Sequence, residues 1–473
     1  MASHALPVSE WLLLAGCVGA SLYAVVGALA LPFFALRGSA AYRFGLLDHA
    51  ARAIDSASLV HGATLDALDS RSIHPFAPVG VSVLKPLCGA EPRLYENLRS
   101  FCEQRLAHFQ LVFGVGSADD AAIGVVRRLQ AAYPMLDIEL VIDARVHGSN
   151  LKVSNLINMA ERARHDVIVI ADSDIAVEAD YLCAVATPLA DPSVGVVTCL
   201  YVAHGVSGFW SRVGALFVNE WFGPSVRVAR MVRSRRFGFG ATLALRRETL
   251  DRIGGFGRLK NCLADDYWLA EHVRALGLRT VLSRMMVATD VTETTFTGLW
   301  QRETRWLRTI RSVNPLGFAF LFMTFATPWL VVGVGPTACL VASQQGALHG
   351  WPAYLTAVNM AAGLAARVVL HARAVRQQQA LRRGLRDGAG DALSAALSSA
   401  SSDTLSDAFG LAFWRDLPLV PLRDSLLLVQ WIASAFGSHV MWRGVRVPVG
   451  TSRSASRGAQ LPLMDTIEAS DGR

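Results

Sequence analysis

Several stretches of this chain carry residues that could do chemistry together. From Val167 to Asp174 it reads Val-Ile-Val-Ile-Ala-Asp-Ser-Asp, a β-branched run that delivers two carboxylates. The run predicts a buried parallel strand, because residues without polar alternation suit a strand covered on both faces. Alternate residues of a strand face one side, so Asp172 and Asp174 can address one ligand at the carboxyl edge of an open sheet. Two hard oxygen donors there suit Mg²⁺ or Mn²⁺ shared with a diphosphate. They equally suit a strand-ending turn that caps the next helix.

Four further stretches bear on that choice. Val83-Leu84-Lys85-Pro86-Leu87 and Gly114 to Asp120 leave predicted strands, the second with Asp119 and Asp120. Strand-end loops of this type suit a nucleoside, an acid accepting from a base N–H or a ribose hydroxyl, and they also suit plain turns. Asn150, Lys152 and Asn155 stand just before a predicted helix, where an ammonium, amides and helix-start N–H groups can receive a diphosphate or ribose. Ser154 or Asn155 could instead cap that helix. Asp265 and Asp266 open another helix after a Gly-rich turn. One can be an N-cap while the other points into a cleft as a general base for an alcohol. Finally, Gln301, Arg305 and Trp306 share a helix with Arg302, Arg308 and Arg311, a pattern that also fits a basic helix whose arginines reach headgroups.

The elements that must position these residues read as an α/β unit. Predicted strands cover Val81–Leu87, Gln110–Gly116, Ile138–Asp143, Val167–Asp172, Val194–Tyr201, Gly240–Arg246 and Thr280–Ala288. Predicted helices between them cover Arg93–Arg105, Ala121–Tyr133 and Asn155–Arg164. Such alternation indicates a mostly parallel sheet with flanking helices.

At 473 residues, 52% hydrophobic and with a mean hydropathy of +0.35, the chain is expected to carry membrane segments. Trp11 to Leu36 contains no charged residue and is followed by Arg37, Arg43 and Arg52, which predicts an anchor with its arginine-flanked end inside. Ser312 to Ala366 is again uncharged, enough for spans over Leu316–Ala342 and Trp351–Leu370. Arg367 to Arg386 then predicts a cytoplasmic basic loop, leading into a flexible Gly388–Ser406 linker. Phe409–Val420 and Leu426–Trp442 predict a re-entrant or interfacial hairpin broken at Pro418 and Pro421, with a fourth span as the alternative. Ser207 to Arg236 pairs aromatics with arginines, as an interfacial helix does, and equally as an amphipathic core helix with a solvated basic end does.

The net charge of +7 rests on arginine, with lysine only at 85, 152 and 260. That bias points to a GC-rich genome, and the basic excess suits an anionic leaflet or a nucleotide diphosphate; no nucleic-acid site is expected. The seven cysteines form no C-x-x-C pair, which argues for reduced thiols facing a cytosol and against a disulfide framework or zinc site.

Together these residues resemble the membrane-bound family 2 and 21 glycosyltransferases, which have a GT-A catalytic domain. Gln301, Arg305 and Trp306 match Q-x-x-R-W, Asp172 and Asp174 match D-x-D, and Asp266 matches the family's base. Val81 to Leu87, Gly148 to Asn155, Asp265-Asp266-Tyr267 and Trp442-Arg443-Gly444 look like ceramide glucosyltransferase. Val197 to Tyr201 and Gly208 to Arg230 look like the bacterial hopanoid-associated glycosyltransferases. The animal ceramide enzymes carry Asp-Ser-Gly where this chain has Asp172-Ser173-Asp174.

The resemblance implies a GT-A domain over 79–293, a Q-x-x-R-W interfacial helix over 294–313 and transmembrane helices over 1–40 and 314–372. It further implies that Lys85, Asp119, Asp120, Asn150, Lys152 and Asp172 contact a UDP-sugar, and that Asp172 and Asp174 hold Mg²⁺ or Mn²⁺. Asp266 would deprotonate a membrane-lipid hydroxyl, and Gln301, Arg305 and Trp306 would line the mouth. The setting is a bacterial inner membrane. UDP-N-acetylglucosamine and a hopanoid polyol are the first choices; UDP-glucose with ceramide is the close alternative, a processive polysaccharide synthase a more distant one, and a non-catalytic lipid-binding scaffold the alternative of another class.

Overall fold

The computed structural model describes residues 8–30, 80–342, 351–388, 402–442 and 445–449. The polar stretch over 41–78, expected as a connector, most of the Gly388–Ser406 linker, Arg443 and Gly444, and nearly all of 449–473, expected as a disordered tail, lie outside them.

Eight strands form one sheet: β1 (Val81–Pro86), β2 (Phe109–Val115), β3 (Asp137–Ile142), β4 (Val167–Ile170), β5 (Ile175–Ala176), β6 (Val194–Gly205), β7 (Leu243–Arg246) and β8 (Arg279–Val291). Their order is β3-β2-β1-β4-β7-β6-β8-β5. β3, β2, β1 and β4 run parallel, as do β6 and β8. β7 runs against both β4 and β6, and β5 against β8. The sheet is therefore mixed, and the α/β fold expected of a GT-A domain is present.

The apolar runs of the central strands serve both faces. Val81, Val83, Val167 and Val169 enter one core, with Leu98 and Phe101 of helix Leu94–Cys102 and Val126 of helix Ala122–Ala132. Leu84, Ile168 and Ile170 enter the other, with Leu156 of helix Leu151–Ala160 and Val273 of helix Asp265–Ala275. A strand buried on both faces needs no polar alternation, which is why β4 reads as an unbroken aliphatic run.

β4 is shorter than expected. It stops at Ile170, and Asp172 to Asp174 form a turn that crosses from the middle of the sheet to β5 on its far edge. The helix expected over Asn155–Arg164 starts earlier, at Leu151, because Asn150 accepts from the Val153 N–H and caps it.

Phe209–Phe217, a π-helical turn Val218–Phe222 and Gly223–Met231 form one continuous rod. Phe217, Val218 and Trp221 are buried between the sheet and the apolar helices, so this segment faces protein on its aromatic side, in place of the interfacial position expected for it.

Among the described residues, Trp11–Ala30 and Tyr354–Leu385 lie in helices long and apolar enough to cross a membrane. Pro315–Thr324 and Ala326–Gly335 form a pair bent by 54°, a third span if counted as one. The basic loop expected after residue 367 is absent, since one helix runs from Trp351 to Gly388, about 57 Å at 1.5 Å per residue. Arg367 of that helix is buried and pairs with Glu220 at 2.7 Å and Asp424 at 2.9 Å.

The late hairpin breaks before Leu419, separating Ser402–Asp416 from Leu419–Ala435. Pro421 does not break the second helix, because it sits in the first turn, where no intrahelical N–H bond is lost. That helix ends at Ala435, and β9 (His439–Trp442) pairs antiparallel with β10 (Val445–Pro448).

Candidate active site

Several segments converge where β4 leaves the sheet. Lys152, in the first turn of its helix, places Nζ 2.6 Å from Asp172 Oδ1 and 3.4 Å from Asp265 Oδ2. Asn150 fixes that turn, donating from Nδ2 to the Cys262 carbonyl at 2.7 Å while capping the helix. Asp266 accepts from the Gly240 N–H at 2.9 Å through Oδ2 and from the Tyr267 N–H at 2.8 Å through Oδ1.

Gly240 marks the meeting point. A Cβ there would lie 2.9 Å from Asp172 Oδ2, 3.4 Å from Lys152 Nζ and 3.6 Å from Asp266 Oδ2. The absence of a side chain at Gly240 keeps the acids and the ammonium around a common space.

Electrostatics separates the acids into roles. Burial raises the Asp266 pKa to about 6, aided by Asp265 and opposed by Lys152. For Lys152 burial works toward the neutral form, but Asp172 and Asp265 outweigh it, and the pKa is raised. Lys152 is therefore an ammonium at any physiological pH. Arg305 stands in the fields of Asp172, Asp266 and Asp265, with its pKa lowered by burial and by Arg302.

Asp174 faces differently from Asp172. Its Oδ2 accepts from Thr289 Oγ1 at 2.7 Å, and burial followed by the Asp172 charge raises its pKa to about 7. Lys85 lies behind the same turn. It is fully buried, donates to the Ile175 carbonyl at 3.2 Å and places Nζ 3.6 Å from the Phe101 ring centroid. Burial lowers its pKa to about 7. Lys85 thus braces the acid turn from the core and does not line the cleft, contrary to its expected contact with a donor.

Other expected residues are also engaged in structure. Asp120 accepts from the Gly89 and Ala122 N–H groups at 2.9 and 2.8 Å, leaving the exposed Asp119 beside it at the loop tip. Asn150 is buried and serves as the cap. Gln301 is exposed, and Trp306 lies 5.3 Å from Phe217, centroid to centroid. Arg308 donates to the His439 carbonyl at 2.6 Å, and Arg311 donates to that of Ser434 at 2.8 Å. These arginines clasp the C-terminal segment where headgroup contacts were the alternative.

The motif helix also hides a buried ion pair. Glu303 accepts from Arg423 at 2.8 Å and from Gln430 at 2.9 Å, and all are buried. Helical spacing shows that Glu303 faces away from Gln301, but nothing local reveals its partners more than a hundred residues on.

The acid turn offers two carboxylates, Asp172 resting on Lys152 and Asp174 on Thr289. Among the described residues no group of three or more His, Cys, Asp or Glu side chains could hold a metal. Mg²⁺ is commonly bound by one or two carboxylates with substrate phosphates and water completing its shell. Asp172 and Asp174 meet that pattern, with Lys152 resting on Asp172.

The model of the family described as Glycosyl transferase family 21 matches residues 50–455. Among curated proteins the chain is similar to ceramide glucosyltransferase 3 of Caenorhabditis elegans, 27% identical over 266 residues, or 53% of this chain and 57% of that protein. It is similar to ceramide glucosyltransferase 1 of the same organism, 28% identical over 235 residues, or 48% and 49%. The chain spans about half the length of these curated relatives. Among solved structures, the mannosyltransferase PcManGT from Pyrobaculum calidifontis, in complex with GDP-Man and Mn²⁺, aligns with a TM-score of 0.40 at 21% identity, over 75% of this chain and 99% of that one.

Proposed function

The chain belongs to glycosyl transferase family 21, and on that premise we propose that it is an inverting transferase moving a sugar from a UDP-sugar to a membrane-lipid hydroxyl. UDP-N-acetylglucosamine is the favoured donor and a hopanoid polyol the favoured acceptor, at the cytoplasmic face of a bacterial inner membrane. The observation that carries the reading is the convergence of Asp172, Lys152 and Asp266 on the space that Gly240 leaves open.

Asp266 takes the acceptor's hydroxyl proton as that oxygen attacks the anomeric carbon, and the bond to UDP breaks on the opposite side. Its raised pKa suits a base that must be ionised near neutrality yet remain basic enough to accept a proton. Lys152 and Arg305 face the diphosphate, where fixed cations stabilise the charge that gathers on the leaving group. Asp119 reaches the nucleoside, and Gln301 and Trp306 line the mouth. Lys85, Asn150 and Asp120 act from behind, holding the acid turn, the Lys152 helix and the nucleoside loop. Asp172 and Asp174 would hold Mg²⁺ or Mn²⁺, which would neutralise part of the diphosphate charge.

The test is Asp266→Asn protein purified in detergent, which is expected to bind UDP as the wild type does and to transfer no sugar. Turnover like that of the wild type would overturn the base assignment. A second reading, ceramide glucosylation from UDP-glucose, is favoured by the curated relatives, which are ceramide glucosyltransferases. Mass spectrometry of lipids extracted with and without expression of the chain separates the two acceptors.

A further inference from the structure

Tyr201, Phe222 and Phe239 come from separate elements, β6, the π-helical turn and the segment before Gly240, yet they form one aromatic group. Tyr201 stacks on Phe222 with centroids 5.0 Å apart and meets Phe239 edge-on at 6.3 Å. Phe222 meets Phe239 edge-on at 5.3 Å. All are partly exposed, whereas Leu200 and Phe237 beneath them are buried.

The group is tied to the base. The Gly240 N–H holds Asp266, and the N–H of its neighbour Phe239 donates to Thr198 Oγ1 at 3.1 Å. Phe239 and the support of Asp266 thus share one anchored stretch of backbone. Burial, and after it the fields of Asp266 and Asp174, raise the pKa of the Tyr201 hydroxyl and keep it a donor. No described residue hydrogen-bonds it. On its other side Tyr201 joins the apolar cluster of Phe217, Trp221, Phe325 and Leu427, which reaches the bent helix pair.

We propose that Tyr201, Phe222 and Phe239 form the acceptor subsite, the rings holding the apolar body of a hydroxylated lipid beside its reacting hydroxyl while the Tyr201 hydroxyl donates to a second acceptor oxygen. The subsite rests on the proposed sugar transfer. It connects the membrane side of the protein to Asp266 without passing through Asp172 or Lys152, so acceptor and donor contacts separate. A lipid with only one oxygen near the reacting hydroxyl gains the ring contacts but not the Tyr201 hydrogen bond, which makes Tyr201 a specificity-determining residue.

The experiment measures UDP affinity by titration, and transfer kinetics with hopanoid polyol and with ceramide as separate acceptors, for wild type, Tyr201→Phe, Phe222→Leu and Phe222→Ala. Truncating a ring that buries an acceptor is expected to raise the acceptor KM about tenfold in Phe222→Ala, with Phe222→Leu intermediate. Loss of one neutral hydrogen bond in Tyr201→Phe is expected to raise it about fivefold. UDP affinity is expected to stay at the wild-type value in each. An unchanged acceptor KM in Tyr201→Phe and Phe222→Leu, or a parallel fall in UDP affinity, would overturn the subsite. Failure of the wild type to bind UDP would overturn the proposed function itself, a separate outcome read in the first measurement.

Discussion

Lys152 Nζ lies 2.6 Å from Asp172 Oδ1, and the same ammonium is 3.4 Å from Asp265. One cation therefore organises acids that lie 93 residues apart in the chain (Asp172 and Asp265). Lys152→Met should leave Asp172, Asp265 and Asp266 repelling one another across the space in front of Gly240. UDP affinity is expected to fall by about tenfold or more, the scale of a lost charge-assisted hydrogen bond. Because Lys152 lowers the Asp266 pKa, the same variant should move the pH break of the reaction upward. Unchanged UDP binding by titration calorimetry would count against this role.

The pH profile follows from Asp266, whose pKa of about 6 is raised first by burial and then by Asp265. A general base works only when ionised, so acceptor kcat/KM should be flat above the break. Below it the rate should fall by about tenfold per pH unit. A profile that rises as the pH drops through 6 would assign Asp266 the opposite protonation state.

Gly240→Ala tests the shared space directly. Gly240 is not among the residues with positive φ, so alanine brings no backbone strain. The new Cβ would press on Asp172 Oδ2 at 2.9 Å. Displacing a group at the reacting centre by a fraction of an ångström to an ångström can cost up to about a hundredfold in rate. The expected result is a kcat lowered by about tenfold to a hundredfold with an unchanged melting temperature. A wild-type kcat would show the cleft to be wider than the geometry indicates.

The Arg423–Glu303 pair predicts a stability effect instead. Both side chains are at most 1% exposed, 2.8 Å apart. Arg423→Met leaves the Glu303 carboxylate with Gln430 at 2.9 Å and the more distant Arg302 at 3.7 Å, which should destabilise the protein by about 3 kcal/mol. Adding Glu303→Gln should recover part of that loss, because the double variant buries no unpaired charge. Thermal unfolding in detergent reads both, and an unaffected single variant would show the pair to be dispensable.

What the sequence determined by itself was local. The Val-Ile run of β4, the alternation of strands and helices, the uncharged stretches near Trp11 and Ser312, and the acids at 172, 174, 265 and 266 are legible because periodicity and charge placement act over a few residues. Tertiary structure decided how each group is used. Lys85, Asn150 and Asp120 read as ligand contacts, and the fold gives their polar atoms protein partners at Ile175, Cys262 and Gly89. The basic segment after Arg367 reads as a loop, yet Glu220 and Asp424 pair with Arg367 inside a continuing helix. Headgroup contact was one alternative for Arg308 and Arg311, and carbonyls near residue 435 hold them in the fold. Lys85, Asn150 and Arg367 are buried polar groups that had to find a partner, and each partner lies far along the chain. Sequence spacing encodes which face a residue occupies, and only the folded packing encodes what it meets there.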